Sequence, residues 1–373
     1  MDYLTLQQYW WFIVSLLGAL FVFLNFVQGG QSLLFSLGKT AKEKELLLHT
    51  TGVHWELTFT TLVTFGGAFF ASFPLFYATS FGGAYWVWFS ILVLFILQAV
   101  SYKFHKKASN FLGERTYEVF LWLNGTLAPL LVGTAVATFF NGAEFTLDSY
   151  NSVHWQTPFR GLEAVLNWHN VSLGLALVFL TRILGAMFFI NRIDEEEIRS
   201  RARKQVLYNA IPFLVFFLAF AIRLLLMKGM GYTVLEDNLE FKEEANKYLS
   251  NFLAMPAVLV MFLLGVVGVL LALRRTIFTK CTKCIWIASL GTVLVVLSVF
   301  LVAGYNNTAF YPSLVDPQSS LCIQNASSSK FTLVAMSYVS LGVPFVLAYI
   351  WYAWKSLTKK KESISNLPDE AQY

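Results

Sequence analysis

The sequence predicts an all-α, polytopic membrane protein: nine transmembrane helices, forming two four-helix bundles with a peripheral ninth helix. Three observations lead there. Of 373 residues, 57% are hydrophobic, 17% aromatic and only 13% charged, against about 25% charged in a soluble domain. Nine stretches are apolar enough, at about 20 residues each, to cross roughly 30 Å of hydrocarbon. The basic residues fall almost entirely in alternate connecting loops.

The spans are predicted near 9–29, 53–79, 83–103, 117–140, 166–190, 206–227, 252–273, 284–305 and 331–354. They must be helices, because every backbone polar group in lipid needs a partner within its own segment. Residues 1–8 lack the basic region that opens a signal peptide, so the first stretch reads as a retained helix. Lys39, Lys42 and Lys44 follow span one; Lys103, Lys106, Lys107 and Arg115 follow span three. Arg192, Arg199, Arg201, Arg203 and Lys204 follow span five; Arg274, Arg275, Lys280 and Lys283 follow span seven; Lys355, Lys359, Lys360 and Lys361 close the chain. Those are twenty of the 27 basic residues, while the opposite loops hold only Arg160, Lys228, Lys242, Lys247 and Lys330. The bias predicts nine crossings with the N-terminus outside and the C-terminus cytoplasmic. It also accounts for the net charge of +5 without invoking nucleic acid.

The expected division is 1–140 for the first half, 141–305 for the second, 306–354 for an outer loop with the ninth helix, and 355–373 for a cytoplasmic tail. A weak echo supports the halves: Gly125-Thr126 precedes Asn141 by sixteen residues, and Gly291-Thr292 precedes Asn307 by the same interval. The acidic loop 228–251, with Glu236, Asp237, Glu240, Glu243 and Glu244, is expected to form a short surface helix.

The chemistry centres on the stretch from Leu46 to Trp86, where an apolar helix is entered through His54-Trp55-Glu56. A carboxylate in a lipid-spanning segment costs about 2.5–3.5 kcal/mol on insertion scales and usually faces a bundle interior or a water-filled cavity. Glu56 is therefore the proton-path candidate, buried about one turn inside the membrane. His54 is a surface group ahead of it, two residues away on another side of the helix. The bland reading is a cap at headgroup depth. Arg182 is the clearest midplane charge, either snorkelling or pairing with an acid or cofactor in a neighbouring chain; Arg223 is within a turn of its helix end and snorkels. Haem ligation needs His or Met facing at matched depth. Of His49, His54, His105, His154 and His169, only His54 and His169 border helices, and from opposite sides, so no haem ligand is assigned to this chain. Cys281 and Cys284 form an isolated CxxC with no further ligands for zinc, Cys322 lies across the membrane from them, and no metal site is expected. Gly66-Gly67-Ala68 with Ala71-Ser72, and Gly265 with Gly268, are expected to let helices approach closely.

These residues resemble subunit II of the cytochrome bd-type quinol oxidases. The likeness runs through Gly29-Gly30, His54-Trp55-Glu56, and Gly66-Gly67-Ala68-Phe69-Phe70-Ala71-Ser72-Phe73-Pro74. It continues through Gly125, Pro129, Gly142, Gly174-Leu175, Gly185-Ala186, Asn325-Ala326-Ser327, Pro344 and Trp351-Tyr352-Ala353-Trp354, covering nearly the whole chain. The resemblance implies a non-haem subunit in a bacterial inner membrane, partnered by subunit I with two b-type haems and one d-type haem, by quinone and lipid, and by a small accessory subunit. The complex would oxidise quinol and reduce oxygen to water with cytoplasmic protons. Relatives commonly carry aspartates where this chain has Asn25 and Gln28, and often an arginine at Gln98, so Glu56 would have to act with water or with the partner. The competing reading is a secondary transporter, with Pro74, Pro129, Pro212, Pro256 and Pro344 as helix breaks. Against it stand the lack of paired midplane charges and of interrupted helices at matching positions.

Overall fold

The computed structural model describes residues 2–107, 110–235, 238–358 and 361–366. Glu236 and Asp237 of the acidic loop, and Lys359 and Lys360 of the tail, lie outside the described residues. The first span comprises α1 (Tyr3–Leu24) and α2 (Phe26–Ser32), followed by the short α3 (Leu34–Leu37). A capping box opens α4 (Ala41–Gly52): the Thr40 hydroxyl accepts from the Glu43 N–H, and the Glu43 carboxylate accepts from the Thr40 N–H. Next come α5 (Trp55–Ser72), α6 (Pro74–Phe76) and a π-helical turn, Tyr77–Gly82.

The span predicted as one helix over 53–79 is broken. The stretch ending at Ser72 and the one starting at Pro74 are bent by 119°. Proline disfavours helical geometry in the residue before it, and Phe73 sits at φ −134°, ψ 64°. The remaining helices are α7 (Tyr85–Phe104), α8 (Glu114–Asn141), α9 (Trp168–Arg192), α10 (Glu196–Leu226), α11 (Lys247–Ala254), α12 (Pro256–Phe278), α13 (Cys284–Gly304), α14 (Lys330–Ser340) and α15 (Val343–Leu357). Among the described residues eight helices are long and apolar enough to span, or nine with the bent pair counted as one.

Three antiparallel strand pairs lie at one end of the helices. They are β1 (Phe145–Leu147) with β2 (Val153–Trp155), β3 (Gly229–Leu235) with β4 (Asn238–Glu244), and β5 (Ala309–Tyr311) with β6 (Leu321–Cys322). The surface helix expected over 228–251 is thus mostly a hairpin, and only α11 is helical. Tyr232, Thr233 and Val234 suit a pleated surface. Tyr232 pairs opposite Phe241 with both buried, while Glu243 and Glu244 stay exposed.

Helix α9 is the centre of the packing, touching α2, α8 and α10; α1 packs on α5 and α13, and α13 on α12. Glycines make the tight crossings. A Cβ on Gly29 would lie 1.7 Å from the Thr181 carbonyl oxygen, and one on Gly185 2.3 Å from the Gly30 nitrogen. Gly265 faces Gly291 as expected, but Gly66 meets only the Phe81 ring and Gly67 has nothing within 4 Å. The echoed glycines both sit in close crossings, but against non-equivalent spans: Gly125 abuts the Gln28 carbonyl of the first span and Gly291 the Gly265 carbonyl of the seventh. The ninth span is peripheral. Most of it is exposed, tied to α1 by Trp10 Nε1 donating to the Leu333 carbonyl at 3.1 Å and by Tyr9 and Ser340 hydroxyls 2.8 Å apart.

Candidate functional site

The polar interior lies where α2, the α4–α5 junction and α7 converge. α2 is buried over its whole length, wedged against α8 and α9 by Gly29, Gly30 and Gly125. That brings Gln28 and Gln31 against α7. Gln28 Nε2 donates to Gln98 Oε1 at 3.3 Å. Gln31 Nε2 donates to the Tyr102 hydroxyl at 2.9 Å, which donates to Thr51 Oγ1 at 2.8 Å. All five side chains are buried. Gln28 Oε1, Gln31 Oε1, Gln98 Nε2 and Asn25 Oδ1 have no hydrogen-bond partner among the described residues. Buried polar atoms are nearly always satisfied, so this layer has the chemistry to hold ordered water.

His54 and Glu56 exchange the positions expected of them. His54 is 1% exposed and packs against Trp354, Phe188 and Phe26, with ring centroids 4.6, 5.2 and 6.0 Å away. Its Nδ1 faces the Thr50 carbonyl at 3.3 Å. It is therefore not a surface group. Glu56 is exposed on the far side of the same turn, rather than buried in this chain. Thr60, Val63, Thr64, Gly67 and Phe70 continue its exposed face at helical spacing. The sequence hint for this was present: positions 56, 60, 63, 67 and 70 form one stripe of a 3.6-residue period.

Arg182 is half-buried on α9, its Nε without a partner, and it makes no ion pair among the described residues. At the basic end of the helices, ion pairs tie separate elements together. Arg201 pairs with Glu43, Lys44 with Glu118 at 2.8 Å, and Arg192 with Glu362 at 3.4 Å. Sequence reasoning did not single out these acids, because pairing across 158 or 170 residues leaves no local pattern.

Among the described residues, His54 and His169 lie in separate clusters and do not face each other as an axial pair. His169 Nε2 donates to the Phe220 carbonyl at 3.1 Å and its Nδ1 faces Asn141. Both of its ring nitrogens are thus engaged by protein, and His54 is enclosed by aromatic rings in a separate cluster. Cys281 and Cys284 are joined in a disulfide, and Cys322 is a free, buried thiol.

A family model described as "Cytochrome bd terminal oxidase subunit II" matches residues 6–357. The chain belongs to this family. It is 28% identical over 371 residues to cytochrome bd-I ubiquinol oxidase subunit 2 of Escherichia coli K12, covering 95% of each chain. It is 27% identical over 362 residues to a probable cytochrome oxidase subunit 2 of Haemophilus influenzae, covering 94% of each. The fold matches a bd oxidase chain from Geobacillus thermodenitrificans with a TM-score of 0.69 and 14% identity, over 96% of this chain and 100% of that one. The chain is thus a subunit of a membrane-bound terminal quinol oxidase, an oxidoreductase complex that contains haem and a partner subunit. As a bd oxidase subunit II with eight or nine apolar spans, it is an inner-membrane protein. The transporter reading is set aside. The Gln28 and Gln98 amides meet each other, so the contact between α2 and α7 at this depth is neutral.

Proposed function

We propose that the Glu56 stripe of α5 lies against the haem-bearing subunit I and passes cytoplasmic protons towards its oxygen-reducing site. The observation that carries this is the exposed carboxylate on a lipid-spanning helix. A carboxylate left among acyl chains is costly even short of the bilayer centre, and a polar partner surface over Glu56 removes that cost. Thr60 and Thr64 extend the polar face by two turns, and the Thr64 hydroxyl donates back to the Thr60 carbonyl at 2.8 Å, leaving its oxygen to accept from water.

In this reading the two b-type haems and the d-type haem reside in subunit I, which supplies electron transfer from quinol and the reduction of oxygen to water. This chain contributes proton handling and half of the scaffold, with residues 1–140 and 141–305 as its two halves, the N-terminus outside and the basic end in the cytoplasm. A small accessory subunit completes the complex. His54 holds the α4–α5 junction in place and so aims Glu56 outward; it does not itself collect protons. Arg182 supplies a cation to an acidic group of a neighbouring chain.

The test is Glu56→Gln in the assembled complex, which keeps size and hydrogen bonding but removes the titrating proton. The expected result is a full haem spectrum with quinol-driven oxygen consumption reduced roughly tenfold or more, the low end of what a lost acid–base group costs. Unchanged turnover would place proton entry in the partner. Loss of the haems would make Glu56 a structural contact.

A further inference from the structure

At the end of the molecule that carries the strand pairs, a cleft of about 500 Å³ opens between the termini of α7, α8, α9 and α10. The proton path has no use for it. Its charged lining residues are Glu144, Glu163 and Arg223, and indoles of Trp88, Trp155 and Trp168 form much of the wall.

None of the three makes an ion pair among the described residues, and two of them show what they lack. Glu163 sits on a 3₁₀ turn, Leu162–Leu166, where one carboxylate oxygen accepts from the Gly161 N–H at 2.9 Å. Its other oxygen is buried with no hydrogen-bond partner among the described residues. A buried carboxylate oxygen is costly to leave unpaired, so the missing group is a donor, and a cation satisfies it best. Arg223 lies over the Trp168 ring at 5.0 Å and makes no ion pair among the described residues. Its natural counterpart is an anion, and a guanidinium suits phosphate geometry. The cleft thus asks for a cation with N–H donors and an anion in one molecule.

The setting identifies the source. Ile211, Val215, Leu218, Ile222 and Leu226 form an outward stripe on α10, each more than half exposed. That stripe faces hydrocarbon, and Arg223 stands at its end beside Trp168, the residue type that marks a membrane interface. Acyl chains lying on the stripe bring a headgroup to the cleft. We propose that the cleft binds the headgroup of a phosphatidylethanolamine-class lipid, with its phosphate on Arg223 and its ammonium on the free oxygen of Glu163, against the indole wall.

The test uses the intact oxidase complex. It is reconstituted in vesicles of dioleoylphosphatidylglycerol alone or mixed with dioleoylphosphatidylethanolamine or dioleoylphosphatidylcholine, washed in detergent, and examined by native mass spectrometry. The expected result is one retained phosphatidylethanolamine per complex, with phosphatidylcholine, which has no N–H donor, retained far less. Glu163→Gln and Arg223→Ala should each reduce retention roughly tenfold or more, the cost of one charge-assisted hydrogen bond. The absorption spectrum of the haems confirms assembly, and the lipid series on the unaltered complex decides the matter even if a variant fails to assemble. Equal retention of all three lipids, or retention unchanged in both variants, overturns the proposal. Displacement of the lipid by millimolar soluble phosphoethanolamine overturns the assignment to a lipid.

Discussion

Gly29 stands where no other residue fits. The atoms a methyl group would strike are the Thr181 carbonyl and the Arg182 nitrogen, at 1.7 and 2.6 Å, and backbone cannot swing aside as a side chain can. Gly29→Ala should therefore destabilise the chain by at least the ~1–3 kcal/mol typical of overpacking, read as a lower thermal midpoint of the purified complex. Cys322 makes a different residue-scale case. Burial pushes its thiol up to about 11. Iodoacetamide at pH 8 should leave it unmodified until the protein is unfolded, because the thiolate is the nucleophile; mass spectrometry before and after denaturation checks this. The sign for stability follows from the same shift. A raised acid contributes its full stability below the unfolded thiol value near 9 and loses it as pH climbs towards 11.

At the scale of elements, α5 and its break deserve the closest test. Gly67 lies on the exposed stripe with nothing within 4 Å of a Cβ. Gly67→Leu should leave the fold of this chain intact and weaken its capture of the haem-bearing subunit. Co-purification through a tag on this chain reads the loss, and a complex of undiminished yield would place the interface on another face. The break at Phe73–Pro74 has a purpose that packing explains. It turns the chain so that Phe76 joins Phe69, Phe139 and Phe310 in one aromatic cluster, at centroid distances of 4.6, 5.1 and 5.3 Å.

For the whole molecule, two measurements bear on the proposed arrangement. Reporter fusions after Lys204 and after Lys361 should both report the cytoplasm. An outside signal from either means that the charge bias has been misassigned to a span. The chain purified without its partner should bind no stoichiometric haem, because His169 spends both ring nitrogens on protein and His54 is shut behind Trp354. A haem spectrum from the isolated chain would require those rings to open.

The sequence by itself determined the fold class and the place of most of the spans. Lipid forces helices, and the length of an apolar run and the placing of lysine and arginine are local quantities. It also sufficed for the family, and for Glu56 as an unusual charge. Tertiary structure alone decided which side of its turn Glu56 faces and that His54 lies inside, since a helical period fixes relative angles but not which angle meets the core. It alone made paired strands of 229–235 and 238–244, where packing of Tyr232 and Phe241 outweighs acidic residues that read as a surface helix. The meeting of Gln28 with Gln98, and the placing of Glu163 and Arg223 in the lining of one cleft, depend on packing between segments dozens of residues apart. Such contacts are made by glycine-to-backbone crossings whose partners no single sequence names.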